Sequence, residues 1–219
     1  YESLIKGFKE GHIPCVVSGM CDSSRPFFVS SLLRDVEKRG VVVVSEEKEA
    51  YAVADTLRLF YDKVLFYPSR DFVFENVTAY SHEWEHERLS AQHAVFNGEY
   101  DVIVTVPDAL MQYIMPREVF ENNSIAISRG ANASQKDLCL SLEMMGYSRT
   151  EIVEGVGQFS VRGGIVDVFT PNYSYPVRID FFGDEIDLIG FFDMVSQRRT
   201  ENVEKVTVIP CNEMILSVN

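Results

Sequence analysis

Along the first half of the chain, short β-branched runs alternate with stretches whose apolar positions recur at helical spacing. Ile13–Ser18 reads as a strand. A loop follows, then a helix over Pro26–Arg39 in which Phe28, Leu32 and Val36 share a face. Val41–Val44 is an unbroken valine run, the pattern of a strand covered on both sides. Glu46–Tyr61 predicts a helix with Tyr51, Ala54, Leu57 and Tyr61 on one stripe. Val64–Tyr67 is the next strand, Ser81–Phe96 a helix and Val102–Val106 a strand. Asp108 can cap a short helix through Gln112. This βαβα order predicts an α/β fold, a parallel sheet with helices on its faces.

The pattern changes near Asn122-Asn123. Ile125–Ser128 is a short strand, and Ser134 can cap a helix running to Met145, closed by Gly146. Thereafter the chain is β-rich: Phe159–Arg162, Ile165–Phe169, Val177–Phe182, Glu185–Phe192 and Val206–Ile209, punctuated by Gly, Pro and Asn. The expected domains are therefore an α/β domain over 1–123 and a smaller β-rich α+β domain over 124–211.

Composition narrows the function. Twenty Lys+Arg against 33 Asp+Glu give a net charge of −13, and 46% of residues are hydrophobic. That apolar share rules out wholesale disorder. The acidity argues against a general nucleic-acid clamp, which needs a broad basic face to displace counterions. No apolar run approaches the roughly 20 residues that cross a bilayer. The opening Tyr1–Lys6 lacks a secretory pattern and an initiator Met, so a trimmed chain is expected. Cys15, Cys21, Cys139 and Cys211 are scattered without a CxxC pair, as expected of buried or partly buried thiols in a reducing cytoplasm.

Two motifs suggest chemistry and then fall short of it. Gly19–Pro26 stands where a phosphate loop of the form G-x-x-x-x-G-K-S/T would stand. Gly19 matches the first Gly, but Ser24 replaces the second, Arg25 the Lys, and Pro26 the residue that would hold Mg²⁺. Pro26 also removes an N–H donor where the helix should cradle phosphate, and Asp22 adds negative charge there. An NTPase-like framework without an ATP site is the expectation. His82-Glu83-Trp84-Glu85-His86 matches H-E-x-x-H, which on a helix could share a Zn²⁺ with Glu83 as base. No third ligand has motif support: His93 lies seven residues on, and Glu99, Glu118 and Glu121 are unplaced. The competing reading is a solvent-facing charged helix buried through Trp84 and Leu89.

The strands after residue 157 say more. If Val177, Ile179 and Phe181 point inward, Arg178, Asp180 and Phe182 point outward together. Phe159 and Val161 inward leave Ser160 and Arg162 outward, just before Gly163-Gly164. Two arginines, an acid and an aromatic on neighbouring strands would form a recognition spot. The alternative is an ordinary cross-strand Arg–Asp ladder with Phe182 covered.

These residues carry a resemblance. Gly157-Gln158-Phe159-Ser160-Val161-Arg162-Gly163-Gly164-Ile165-Val166-Asp167-Val168-Phe169 resembles the G-E-F-x-V-R-G-G-I-x-D-I-F signature of the bacterial transcription–repair coupling factor family (Mfd). Pro176–Ile186, Phe192–Arg198, Gly146-Tyr147, Leu110-Met111-Gln112 and Glu87-Arg88-Leu89 extend it. The excision-repair protein UvrB shares a looser form but keeps an intact ATP site, whereas Gly19–Pro26 is of the lost kind. The resemblance implies the N-terminal UvrB-like module of the coupling factor: a degenerate sheet domain, a UvrA-binding domain, and over 212–219 the start of a truncated third segment. It further implies a non-catalytic module without cofactor, docking UvrA through Arg162, Arg178 and Phe182, with Asp180 nearby. UvrB's extra Arg falls on Ser160 here. RNA polymerase and double-stranded DNA would be bound by regions outside this chain, the translocase motor included, and a C-terminal domain would mask the docking surface. Two other readings remain at this stage, a UvrB-type damaged-DNA-binding ATPase fragment and a zinc hydrolase at His82 and His86.

Overall fold

The computed structural model of the chain describes residues 1–70 and 82–214. By compactness the chain divides into two units, Tyr1–Arg70 with Asn97–Gln112, and Asp71–Phe96 with Tyr113–Asn219. The fold is mixed, with a parallel sheet in the first unit and a larger, mostly antiparallel sheet in the second. No helix among the described residues is long and apolar enough to cross a membrane.

In the first unit, β1 (Gly40–Val43), β2 (Val64–Tyr67) and β3 (Val102–Thr105) run parallel in the order β1-β3-β2. Gly40 and Val64 both pair with Val102, so the strands start in one row. Helix Glu47–Leu57 buries Ala50, Ala54 and Leu57 against Phe66, Val102 and Val104. Spacings of four and three residues put those three on one face, and small alanines let the helix approach the sheet.

Two expectations fail here. Ile13–Ser18 is no strand, and Val16 stands in solvent. β1 half-buries only alternate residues, leaving Val41 and Val43 exposed. β-Branched residues favour a strand only where a neighbour pairs with it, and Pro14 removes one N–H that pairing would need. The loop Gly19–Pro26 therefore has no strand in front of it in this structure. Helix Arg25–Val36 follows the loop and stops at Glu37, whose φ of 53° is left-handed.

In the second unit, β4 (Ile125–Ser128) pairs with β11 (Lys205–Val208). β5 (Ser148–Arg149), β6 (Gln158–Arg162), β7 (Ile165–Val168), β8 (Val177–Phe182), β9 (Glu185–Phe192) and β10 (Arg199–Asn202) form a six-stranded sheet in sequential order. Only β5 and β6 are parallel. The β-rich part, expected to be the smaller, thus holds the larger sheet. Helix Gln135–Met144 is capped by Ser134, whose Oγ accepts the Asp137 N–H at 3.2 Å. Its Leu138 and Leu142 pack on Phe159, Val166, Val177 and Ile179. On the other face of the sheet, Phe169, Phe192 and Val153 form a small second core. Helix Glu83–Phe96 also lies in this unit; the expected start at Ser81 and residues 215–219 lie outside the described residues.

Candidate docking site

A two-residue turn at Gly163-Gly164 sets the register of the site. Arg162 faces Ile165 and Ser160 faces Asp167 across β6 and β7. The next pairing puts Asp167 opposite Arg178 and Ile165 opposite Asp180. Gly163 has φ +58°, and a Cβ on Gly164 would lie 2.8 Å from the Phe181 carbonyl oxygen, so both positions require glycine.

Asp167 is the centre of the arrangement, at 1% side-chain exposure. Arg178 donates from Nε to Oδ1 at 2.7 Å and from Nη2 to Oδ2 at 2.9 Å, a bidentate pair. Its Nη1 donates to the Gln197 carbonyl at 3.0 Å, and the guanidinium lies 4.3 Å from the Phe192 ring centroid. Hydrogen bonding to Asp167 raises the Arg178 pKa above the ordinary arginine value, against the opposing effect of burial. Arg162 donates from Nη2 to the same Oδ2 at 2.7 Å. Both arginines also reach Gln197 Oε1, at 3.4 and 3.3 Å.

The structure therefore brings Arg162 and Arg178 together on one carboxylate. They differ in what they offer a partner. The Arg178 side chain is 14% exposed and makes the cross-strand Arg–Asp pair that was the alternative reading of these strands. The Arg162 side chain is 44% exposed, with one nitrogen engaged. Phe182, at the far end of β8, is 81% exposed. Asp180 accepts from Arg199 Nη2 at 2.9 Å, and Arg199 reaches it across Gly190, where a Cβ would meet Arg199 Cδ at 2.9 Å. Sequence reasoning had not singled out Asp167, Gln197, Phe192 or Arg199.

The loop Gly19–Pro26 is built differently. Arg25 pairs with Asp22 at 2.9 Å and approaches Glu49 at 3.9 Å. A recess of about 300 Å³ beside it is lined by Arg25, Pro26, Ser45, Glu49 and valines of β1. Its cation faces two carboxylates, which leaves no net positive charge for phosphate.

The H-E-x-x-H residues do not converge. His82 Nδ1 lies 3.0 Å from Glu85 Oε2, whereas His86 Nε2 lies 3.1 Å from Cys211 Sγ. Among the described residues no group of three or more His, Cys, Asp or Glu side chains is placed to hold a metal ion. Nor is the helix buried through Trp84, which is half-buried; its inward stripe is Glu85, Arg88, Leu89 and Gln92. Burial lowers the His86 pKa below the usual imidazole range and pushes the Cys211 thiol up to about 12. Both groups are thus neutral near pH 7, and the contact is a packing device rather than an activated nucleophile. Gly157 makes room for it, since a Cβ there would sit 2.7 Å from Cys211 Sγ. Against the expectation of buried or partly buried thiols, Cys15 and Cys21 are exposed, and hydrogen bonds with Ser23 and Ser24 lower the Cys21 pKa. In native protein, Cys15 and Cys21 will react first with a maleimide, and Cys211 only on unfolding. Peptide mapping that finds Cys211 labelled as fast as Cys21 would refute this.

Residues 125–214, the part of the second unit that carries this β-sheet site, match the UvrB interaction domain family. Along nearly its whole length the chain is similar to transcription-repair-coupling factors. That of Bacillus subtilis (strain 168) is 30% identical over 99% of this chain. Those of Staphylococcus aureus (strain USA300) and Staphylococcus haemolyticus are 26% and 25% identical over 94% of it. The chain spans 18% of the length of each of these relatives. The likeness to the coupling factor, read from the motifs, thus extends along nearly the whole chain, and the likeness to UvrB over residues 125–214.

Proposed function

We propose that this chain is a non-catalytic docking module that recruits UvrA, in nucleotide excision repair, to lesions where RNA polymerase has stalled. One observation carries the reading: the buried Asp167 carboxylate on β7 holds Arg178 of β8 and the half-exposed Arg162 of β6 in fixed orientation, and β8 ends in an exposed phenylalanine. A pre-oriented guanidinium loses little entropy on meeting a carboxylate. The similarity to coupling factors and the UvrB interaction domain match support the same role. Arg162 and Phe182 are the direct contacts in this reading, and Arg178 and Asp180 hold the surface in shape. Contacts with RNA polymerase and double-stranded DNA, and masking by a C-terminal domain, would involve the rest of a longer protein. The recess at Arg25, where one cation faces two carboxylates, supports a module without ATP turnover.

Calorimetric titration with purified UvrA tests the proposal. Arg162→Ala and Phe182→Ala are each expected to weaken binding by about 1–3 kcal/mol, as hot-spot truncations do. Both side chains are exposed, so the fold is expected to survive, with unchanged circular dichroism. Unaltered affinity in both variants would overturn the assignment of this surface.

A further inference from the structure

The β9–β10 turn, Asp193–Arg198, is joined to the arginine pair and ends in an apolar tip. Val195 is 95% exposed and Met194 stands beside it in solvent. Such a tip would ordinarily be mobile, yet here the turn is bonded from within. Asp193 Oδ1 accepts the Ser196 N–H at 2.7 Å and the Ser196 hydroxyl at 2.6 Å. Gln197, at φ 58°, donates from Nε2 to the Met194 carbonyl at 2.8 Å and from its N–H to the Asp193 carbonyl at 2.8 Å. The same Gln197 accepts from Arg178 Nη1 through its carbonyl and from both arginines through Oε1. The turn is therefore folded onto the face that carries the arginines and held there.

We infer that this turn is a second contact element of the docking surface, with Val195 as an apolar anchor entering a recess of UvrA that is rimmed by acidic groups. The inference rests on the docking reading above. Scale and charge argue for it. The β9–β10 turn and Phe182 lie at opposite ends of β8, five residues apart, or about 17 Å at strand rise. A standard interface covers roughly 800 Å² on each partner, a disc about 30 Å across, so one footprint takes in both ends. Between them lie Arg162, Arg178 and Arg199, with Arg198 exposed on the turn itself, against the carboxylates of Asp167, Asp180, Asp193 in the turn and Glu185 opposite Phe182. In a chain of net charge −13 this face is close to neutral, Asp167 and Asp180 are held by arginines, and Arg162 and Arg198 are the cations turned to solvent. These two select an acidic mate, and a rigid apolar tip lowers the entropic cost of docking.

The test is titration of UvrA with wild-type protein, Val195→Asp, Val195→Leu and Phe182→Ala, with sedimentation of the chain alone. Val195→Asp is expected to weaken binding about tenfold or more, while Val195→Leu stays within about twofold. If Phe182→Ala weakens binding and Val195→Asp does not, the turn is not a contact and this inference falls while the docking reading stands. If wild-type protein fails to bind UvrA, the docking reading falls and takes this one with it. Wild-type self-association abolished by Val195→Asp would assign the tip to a second copy of the chain and overturn the inference.

Discussion

Asp167→Ala is expected to destabilise the β-rich unit by about 3 kcal/mol, the low end of the range for breaking a buried ion pair from one side. The reason lies in what is left behind. Arg178 is stacked on Phe192 under the β9–β10 turn and has little access to water. Without Asp167 its Nε and Nη2 lose their carboxylate while the desolvation of the guanidinium remains. Arg162 adds little to the loss, because a half-exposed side chain can turn to solvent. Arg162→Ala is accordingly expected to cost under about 1 kcal/mol of stability. Urea unfolding followed by circular dichroism compares the two variants. Equal midpoints would mean that Asp167 is not the organising group. The same logic explains why Arg178→Ala is a poor probe of docking: it exposes a buried carboxylate and loosens the turn together.

Much of this site was legible in the strand pattern, and one further step was available. Alternation along Val177–Phe182 correctly separates Val177 and Ile179, which are buried, from Phe182, which is exposed. A two-residue turn at Gly163-Gly164 also fixes which residues face each other, and counting back from it puts Asp167 opposite Ser160. One more strand puts it opposite Arg178. That register turns an apparent outward pair of cations into a carboxylate with two arginines on it. Other features had no local signature. Val41–Val44 looks the same whether one side of the strand is covered or two. Gln197 enters the site through a left-handed turn residue that no period reveals. The polar inward stripe of helix Glu83–Phe96 is also hidden, because its partners are more than 120 residues away.

That stripe leads to the second large effect: Arg88→Ala or Glu213→Ala will each destabilise the same unit by about 3–5 kcal/mol. Arg88 is fully buried, and its Nε donates to Glu213 Oε1 at 2.7 Å. Gln92 Nε2 donates to the same oxygen at 3.2 Å, and Glu85 Oε1 accepts the Glu213 N–H at 2.7 Å. The network ties the helix to the segment after β11, next to the His86–Cys211 contact. Either single truncation removes one partner of the ion pair inside a site closed to water. Replacing both partners with leucine removes both charges, and a buried pair exchanged for apolar side chains is often neutral in stability. Arg88→Leu with Glu213→Leu is therefore expected to be clearly more stable than either single variant. A double-mutant cycle in urea measures the coupling. Additive losses would show that the two side chains do not act as a pair. On the proposed docking role, whose direct contacts are Arg162 and Phe182, the folded fraction of each single variant is expected to bind UvrA with wild-type affinity. A loss of binding in proportion to lost stability, and no more, is the outcome that separates a structural clamp from a docking residue.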